Sequence, residues 1–349
     1  MVKIISDSTC DLSPELIARY DIDVLPLHII LGEQDFEDGR GVTPDEIYQW
    51  SDQHRSSPKT AACSLNEAIS VFEPYVREGR EVICFTISGS MSSTYNVMCM
   101  AAEQLNAKHL VTVIDSKNLS TGVGLQVITA AEMAQTGMNA AEITAKIKMI
   151  RPLVRASFVV DTLTYLHRGG RCSGLAAMMG GALKLHPRIG VTDGKMAPGK
   201  KYRGKMDRVI LSYATEMEEE LLKADKKHVF ITHSGCTEET IAPVRSWLEG
   251  LNRFDEIHVT RAGGVISSHC GPGTLGVLFI AGEYSASTHG LRSKRSGGRL
   301  FPLRARPRFG IILAEKTARE RLTWITGRSP TRCWVCCKGL TAMTPPAGT

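Results

Sequence analysis

The sequence predicts an α/β protein of two domains, the first built on a mainly parallel sheet and the second on a mixed one. Three observations lead there. The chain has 349 residues, too many for one typical core. Apolar runs of strand length alternate with helical patterns through the first half, the mark of a parallel sheet covered by helices. In the second half "VTDGKMAP" reads as a hairpin turning at Asp193-Gly194, which brings in an antiparallel component.

Taken in order, "VKIISD" (2–7) reads as a strand and "SPELIARY" (13–20) as a helix with Ser13 at its N-cap and Pro14 at its first position. "IDVLPLHIIL" (22–31) reads as one strand. Thr43 and Glu46 stand at capping-box spacing around Pro44, and Ser64 and Glu67 suggest another helix cap. Strands recur at 81–86 and 109–115. From about residue 159 the texture changes: short strands fall at "RIGVTDGK" and "MAPGK", a long charged helix at 206–224, and strands at 228–235, 256–263 and 276–282. The expected organisation is an N-terminal α/β domain over 1–158, a C-terminal α/β domain over 159–282 and a basic tail over 283–349.

Apolar residues make up 43% of the chain, ordinary globular material. No run of 18 apolar residues and no basic-then-apolar amino terminus occurs, so neither a membrane span nor a signal peptide is expected. A cytoplasmic, reducing address follows, and most of the ten cysteines are scattered singly, as small buried hydrophobes are. The net charge of +6 is uneven. The tail carries 13 Lys and Arg against 3 acids, leaving 29 against 33 in residues 1–282. The body is mildly acidic, which argues against nucleic acid as its partner.

The tail mixes Arg, Gly, Pro and Ser without periodicity, as disordered extensions or out-of-frame translation do. Its Cys333-x-x-Cys336 has no second pair and no nearby His, so no metal site is expected.

Chemistry gathers at four hydroxyl-rich segments. "ISGSMSSTY" (87–95) follows an apolar strand and precedes a helix, which places O–H and N–H donors at the carboxyl edge of the sheet, where open α/β sheets bind ligands. Its bland alternative is that Ser92 and Ser93 merely cap the helix. "SPKTAACSLNEA" (57–68) puts Thr60 in a small-residue loop, and "SDSTCDLSP" (6–14) follows the first strand. "GGVISSHCGPGTLG" (263–276) sets His269 in a Gly- and Ser-flanked loop. Arg168, Arg171 and Arg203 stand in glycine settings and could pair with phosphate or carboxylate.

An enzyme reading would make Ser92 a nucleophile and His269 its base, giving a serine acyl hydrolase. Ser92 lies in no G-x-S-x-G elbow, and no motif marks an orienting acid. G-x-x-x-x-G-K-[ST] is absent, so a P-loop nucleotide site has no support. No catalytic residue and no cofactor is assigned.

Five segments in order, "SDSTCDL" (6–12), "ISGSMSSTY" (87–95), "VIDSKNLSTGVGL" (113–125), "DTLTYLHRGGR" (161–171) and "SSHCGPGTLG" (267–276), resemble the DegV family of bacterial fatty-acid-binding proteins over roughly 1–282. The resemblance implies two α/β domains with one long-chain fatty acid buried between them. It also implies that such a protein, itself non-catalytic, presents the carboxylate to a separate fatty acid kinase subunit, holds the acyl phosphate and feeds phospholipid synthesis without integral membrane association. Carried over motif by motif, the head-group ligands fall on Thr60, Ser92 and His269, and Arg171 and Arg203 become candidates for phosphate or partner contact. The chain departs from the family in its Thr60-Ala61-Ala62-Cys63-Ser64 loop, where proline is usual, and in Ser93, where glycine is usual. "GLAAMMGGALKL" (174–185) is expected to line the acyl tunnel, or to be an ordinary core helix.

Overall fold

The structure, a computed structural model, describes residues 1–172 and 185–282. Of the expected tunnel segment 174–185 only Leu185 is among them, and the tail 283–349 lies outside them.

The first half contains β1 (Lys3–Asp7), α1 (Pro14–Arg19), β2 (Ile22–Leu25), β3 (His28–Leu31), β4 (Gln34–Glu37), α2 (Pro44–His54), β5 (Lys59–Ala61), α3 (Leu65–Arg77), β6 (Val82–Thr86), α4 (Thr94–Gln104), β7 (Val111–Asp115), α5 (Thr121–Gln135) and α6 (Ala140–Ile150). The second half contains β8 (Val154–Val159), α7 (Thr164–Gly169), β9 (His186–Thr192), β10 (Lys195–Tyr202), α8 (Met206–Thr215), α9 (Glu218–Leu222), β11 (Ala224–Ser234), α10 (Glu238–Gly250), β12 (Glu256–Arg261), α11 (Gly264–Cys270) and β13 (Thr274–Ala281).

Three sheets result. A parallel one has the order β2-β1-β6-β7, and a mixed six-stranded one has the order β10-β9-β8-β13-β11-β12, parallel only between β11 and β12. The parallel-then-mixed expectation holds. β8 already belongs to the large sheet, and the expected boundary at 158/159 falls inside this strand. A small antiparallel sheet, β4-β3-β5, was not anticipated. The hairpin at Asp193-Gly194 is present, with φ of 49° and 78° at its two central residues, the left-handed pair a two-residue turn requires.

α5 decides how the layers stack. Thirteen of its 15 residues are buried, so it has no solvent face and must be covered on both sides. It packs on β1 of the parallel sheet and on β8, β11 and β13 of the large one. One continuous core therefore runs from Ile4 and Phe85 through Ile128 to Phe230 and Leu278.

Local signals were accurate where they were local. Ser13 caps α1, and Thr43–Glu46 and Ser64–Glu67 form complete capping boxes. Two segments expected to be continuous are broken. Residues 22–31 split at Pro26 into β2 and β3, which belong to different sheets; the Leu27 N–H donates to Ser8 Oγ instead of a strand neighbour. The helix expected over 206–224 divides between α8 and α9, and Glu216 at the break accepts from Lys200 Nζ and Tyr202 Oη.

α5 approaches the amino-terminal segment closely: a Cβ on Gly124 would lie 2.7 Å from the Cys10 carbonyl oxygen. Gly124→Val is expected to cost about 1–3 kcal/mol through overpacking, read as a lowered urea midpoint with an unchanged m-value; an unchanged midpoint would remove α5 from its role as a tightly fitted layer.

Candidate ligand-binding cavity

Three separate segments converge at the carboxyl edge of the parallel sheet. The first is β5. Thr60 lies not in a loop but in this strand, opposite Ile29 of β3. The second is the turn after β6. Its Ile87 N–H donates to Asp7 Oδ2 (2.8 Å), and Ser88 Oγ donates to the Gly194 carbonyl at the β9–β10 hairpin (2.8 Å). Ser92 Oγ pairs with Thr94 Oγ1 (2.8 Å) and accepts from the Thr94 N–H (3.3 Å), so it helps to start α4. The third is α11. His269, expected in a loop, stands in the last turn of this short helix.

Two buried carboxylates position α11. Asp11 accepts from the Gly263 N–H (2.8 Å) and from Ser120 Oγ, and Asp38 accepts from the Gly264 N–H (2.7 Å) and from Ser8 Oγ (2.7 Å). These bonds satisfy donors that a helix start leaves free. Gly264 is required by the approach, since a Cβ there would sit 2.3 Å from Ile29 Cδ1. The segment "SDSTCDL" is thus a structural hub and not a ligand-facing hydroxyl site. Burial pushes Asp7 up to about 6 and Asp11 up to about 8, and raises Asp38 as well.

Between these segments lies a cavity of about 540 Å³, within the size range of small-molecule sites. Thr60, Ser92, His269 and Arg171 all line it. Hydroxyls of Ser90 and Ser93 and the Asn96 amide add polarity on the turn side, while Leu27, Met91, Leu119, Met196 and Ile266 supply apolar wall. Behind Leu119, Ile266 and Cys270 lies a separate apolar hollow of about 20 Å³, lined also by Phe158 and Leu278. On another side, Thr60, Arg171 and His269 are shared with a hollow of about 570 Å³ bearing Arg55, Lys59 and Arg168. Arg203 is exposed beyond the end of β10 and lines neither space.

His269 Nε2 lies 2.8 Å from Thr60 Oγ1, and its Nδ1 is buried without a partner. Gly169 packs on that nitrogen: a Cβ at position 169 would be 2.3 Å from Nδ1. A buried N–H left unpaired costs more than a buried lone pair that the ring can spare. The partners therefore assign the proton to Nε2, which donates to Thr60 Oγ1 and turns the threonine O–H outward as a donor. Burial, and next the Arg171 charge, lower His269 to about 4, so the ring is neutral at pH 7. Arg171 Nη1 donates to the Gly169 carbonyl (2.7 Å).

The geometry gives no support to a hydrolase. His269 Nε2 is engaged by Thr60, and the Ser92 hydroxyl pairs with Thr94. Sequence reasoning missed Asp11 and Asp38, whose partners lie more than 200 residues away, and it missed the cavity contributions of Leu27 and Ile266. The five motif segments were the available signal: "SDSTCDL" contributes Asp7, Ser8 and Asp11 to the scaffold.

A parallel sheet whose carboxyl edge meets a cavity with hydroxyls at one rim and apolar side chains within defines a small-molecule-binding α/β protein. The chain belongs to the DegV family: the family model described as "Uncharacterised protein, DegV family" matches residues 1–282. A DegV domain-containing protein of Clostridium perfringens is 32% identical over 285 residues, covering 81% of this chain and 99% of that protein. Among solved structures, a fatty-acid-binding DegV family protein of Thermus thermophilus is 28% identical with a TM-score of 0.74, covering 80% of this chain and 99% of that one. A stearic-acid-binding protein of Eubacterium ventriosum is also 28% identical, with a TM-score of 0.71 and coverage of 80% and 98%.

The buried titrating groups act in opposite directions. His269, lowered to about 4, contributes stability that is full above its ordinary value near 6.5 and is lost as pH falls through 4. Asp11, raised to about 8, contributes stability that is full below its ordinary value near 3.8 and is lost as pH rises through 8. In ligand-free protein, wild type is expected to lose stability relative to His269→Gln between pH 6.5 and 4, and relative to Asp11→Asn between pH 4 and 8. Denaturant midpoints across pH check both, and parallel curves would contradict the assignments.

Proposed function

We propose that this protein binds one long-chain fatty acid, with the acyl chain in the cavity and the carboxylate at the rim formed by Thr60, Ser92 and His269. It is a non-catalytic carrier of the cytoplasm that presents the carboxylate to a separate fatty acid kinase subunit, receives the acyl phosphate and so serves phospholipid synthesis. One observation carries the reading: three residues named from distant segments meet on one cavity, with Thr60 and His269 in direct hydrogen bond. The fatty-acid-binding relatives of similar fold support it.

The energetics agree. About 15 methylenes at ~0.8 kcal/mol each give on the order of 12 kcal/mol of gross burial, enough for tight binding after ordering costs. Neutral hydroxyls then suffice for the head group and leave its oxygen free to react. Arg171, standing where the cavity meets the basic hollow, is assigned to the phosphate or the partner, whereas Arg203, exposed and off the cavity, is left the partner role alone. The family match ends at residue 282, which supports placing residues 283–349 outside the functional unit formed by 1–158 and 159–282.

Native mass spectrometry of the purified full chain, and of a chain ending at Gly282, is expected to show one co-purifying long-chain fatty acid on each. Bare protein that takes up neither palmitate nor oleate would sink the proposal. Thr60→Ala and Ser92→Ala are each expected to weaken binding by about 1 kcal/mol, measured by displacement of a fluorescent fatty acid; undiminished affinity in the double variant would remove both from the site.

A further inference from the structure

Away from the cavity, the outer edge of the large sheet gathers a second constellation. His228 on β11 is the register partner of Glu256 on β12, and Phe230 is the partner of His258. Among the described residues, His228, Glu256 and His258 bring three ligand atoms within 4.8 Å of one another. His228 Nδ1 lies 3.1 Å from His258 Nε2, and that nitrogen lies 3.8 Å from Glu256 Oε2. Tetrahedral zinc, with bonds of about 2.0 Å, holds its nitrogen and oxygen ligands about 3.3 Å apart. The spacing is therefore close to what one ion between them needs.

The surroundings match a ligand set more closely than a plain ring pair would require. His228 directs its other nitrogen, Nε2, to Glu132 Oε1 on α5 at 3.1 Å. That is the carboxylate–histidine arrangement that fixes a metal-binding tautomer, since Nε2–H donating to Glu132 leaves the Nδ1 lone pair facing the site. The His258 ring is held in plane by stacking on Phe230, with centroids 4.6 Å apart. Both histidine side chains are nearly buried, whereas Glu256 is partly open to solvent.

We propose that His228 Nδ1, His258 Nε2 and the Glu256 carboxylate form a site for a divalent transition-metal ion of the zinc class. In the metal-free chain the two rings share a proton, donated by His258 Nε2. Binding moves His258 to its other tautomer, so that both facing lone pairs take the ion. Two cations compete with it. Arg19 on α1 grips Glu256 with a two-pronged pair (2.7 and 2.9 Å), and Lys227 pairs with Glu132 (2.7 Å). The Arg19 side chain is half exposed, and pairs of that kind are weak, so it can swing aside. The two histidines are 30 residues apart and form no spacing motif, which is why the sequence marks nothing here.

The test is equilibrium dialysis of the full chain against zinc chloride, with cobalt(II) spectra to identify the ligands. One equivalent is expected to bind with micromolar or tighter affinity and to raise the thermal midpoint. Cobalt is expected to show a tetrahedral spectrum without a thiolate charge-transfer band. His258→Gln and His228→Ala/His258→Ala are expected to weaken this equivalent at least tenfold. Arg19→Ala is expected to tighten it several-fold, an outcome that misfolding cannot imitate. The proposal is overturned if the double-histidine variant retains the equivalent undiminished, if the cobalt spectrum reports cysteine ligands, or if no equivalent is held at micromolar zinc.

Discussion

The position of α11 rests on two carboxylates that the fold buries to hold it. Asp11 and Asp38 come from the amino-terminal half, yet each takes a backbone N–H at the start of a helix near the end of the domain. Hydrogen bonds of this kind contribute about 0.5–1.5 kcal/mol each, and their geometry fixes an orientation that apolar packing alone would leave free. Asp38 also holds Ser8, and Ser8 accepts from the Leu27 N–H, so the same grip sets the chain entering β3. Because β3 carries β5, it places Thr60 as well. The Thr60–His269 contact is a consequence of this network, built from the opposite end of the molecule. Burial weakens the acidity of the clamp, which is the electrostatic cost of placing it in the interior.

α5 provides the other constraint. A helix with no solvent face forces the two large sheets to lie on either side of it, and the cavity opens where the parallel sheet ends and the small sheet, the β6–α4 turn and α11 meet. The hairpin of the large sheet reaches back to that turn through Ser88, so the mixed sheet closes one wall of a site begun by the parallel one.

What could be read in advance follows from the range of the forces involved. Ser13, Thr43 and Ser64 act on N–H groups three residues away, and their helices start where the sequence places them. The Asp193-Gly194 turn is equally local. By contrast, "GVISSHC" looks like a loop because its helix is short and lacks a side-chain cap of its own; its first donors are satisfied by residues over 200 positions away. β4, with the sequence Gln34-Asp35-Phe36-Glu37, has no apolar alternation and becomes a strand only by pairing with β3. Thr60, expected in a loop, lies in β5, because a three-residue edge strand has no periodicity to detect. The cavity residues came from motif resemblance, and their meeting is a tertiary fact.

The hydroxyl-rich turn shows how one stretch can serve two purposes. Thr86 is buried and Ser88 is spent on the Gly194 carbonyl, while Thr94 is paired to Ser92 at the start of α4. Ser88 and Thr94 bind the turn to its surroundings, whereas the buried Thr86 hydroxyl has no hydrogen-bond partner among the described residues. Ser90, Ser92 and Ser93 line the cavity. Ser92 belongs to both sets: its oxygen is held by the helix start, which orients the hydroxyl without supplying charge. A neutral His269 holding Thr60 does the same on the opposite segment. A rim of fixed but uncharged donors can orient an acidic head group while leaving most of the binding energy to apolar contact. Under the proposed function, that division would let a bound head group react at its oxygen without loosening the part of the ligand that secures it.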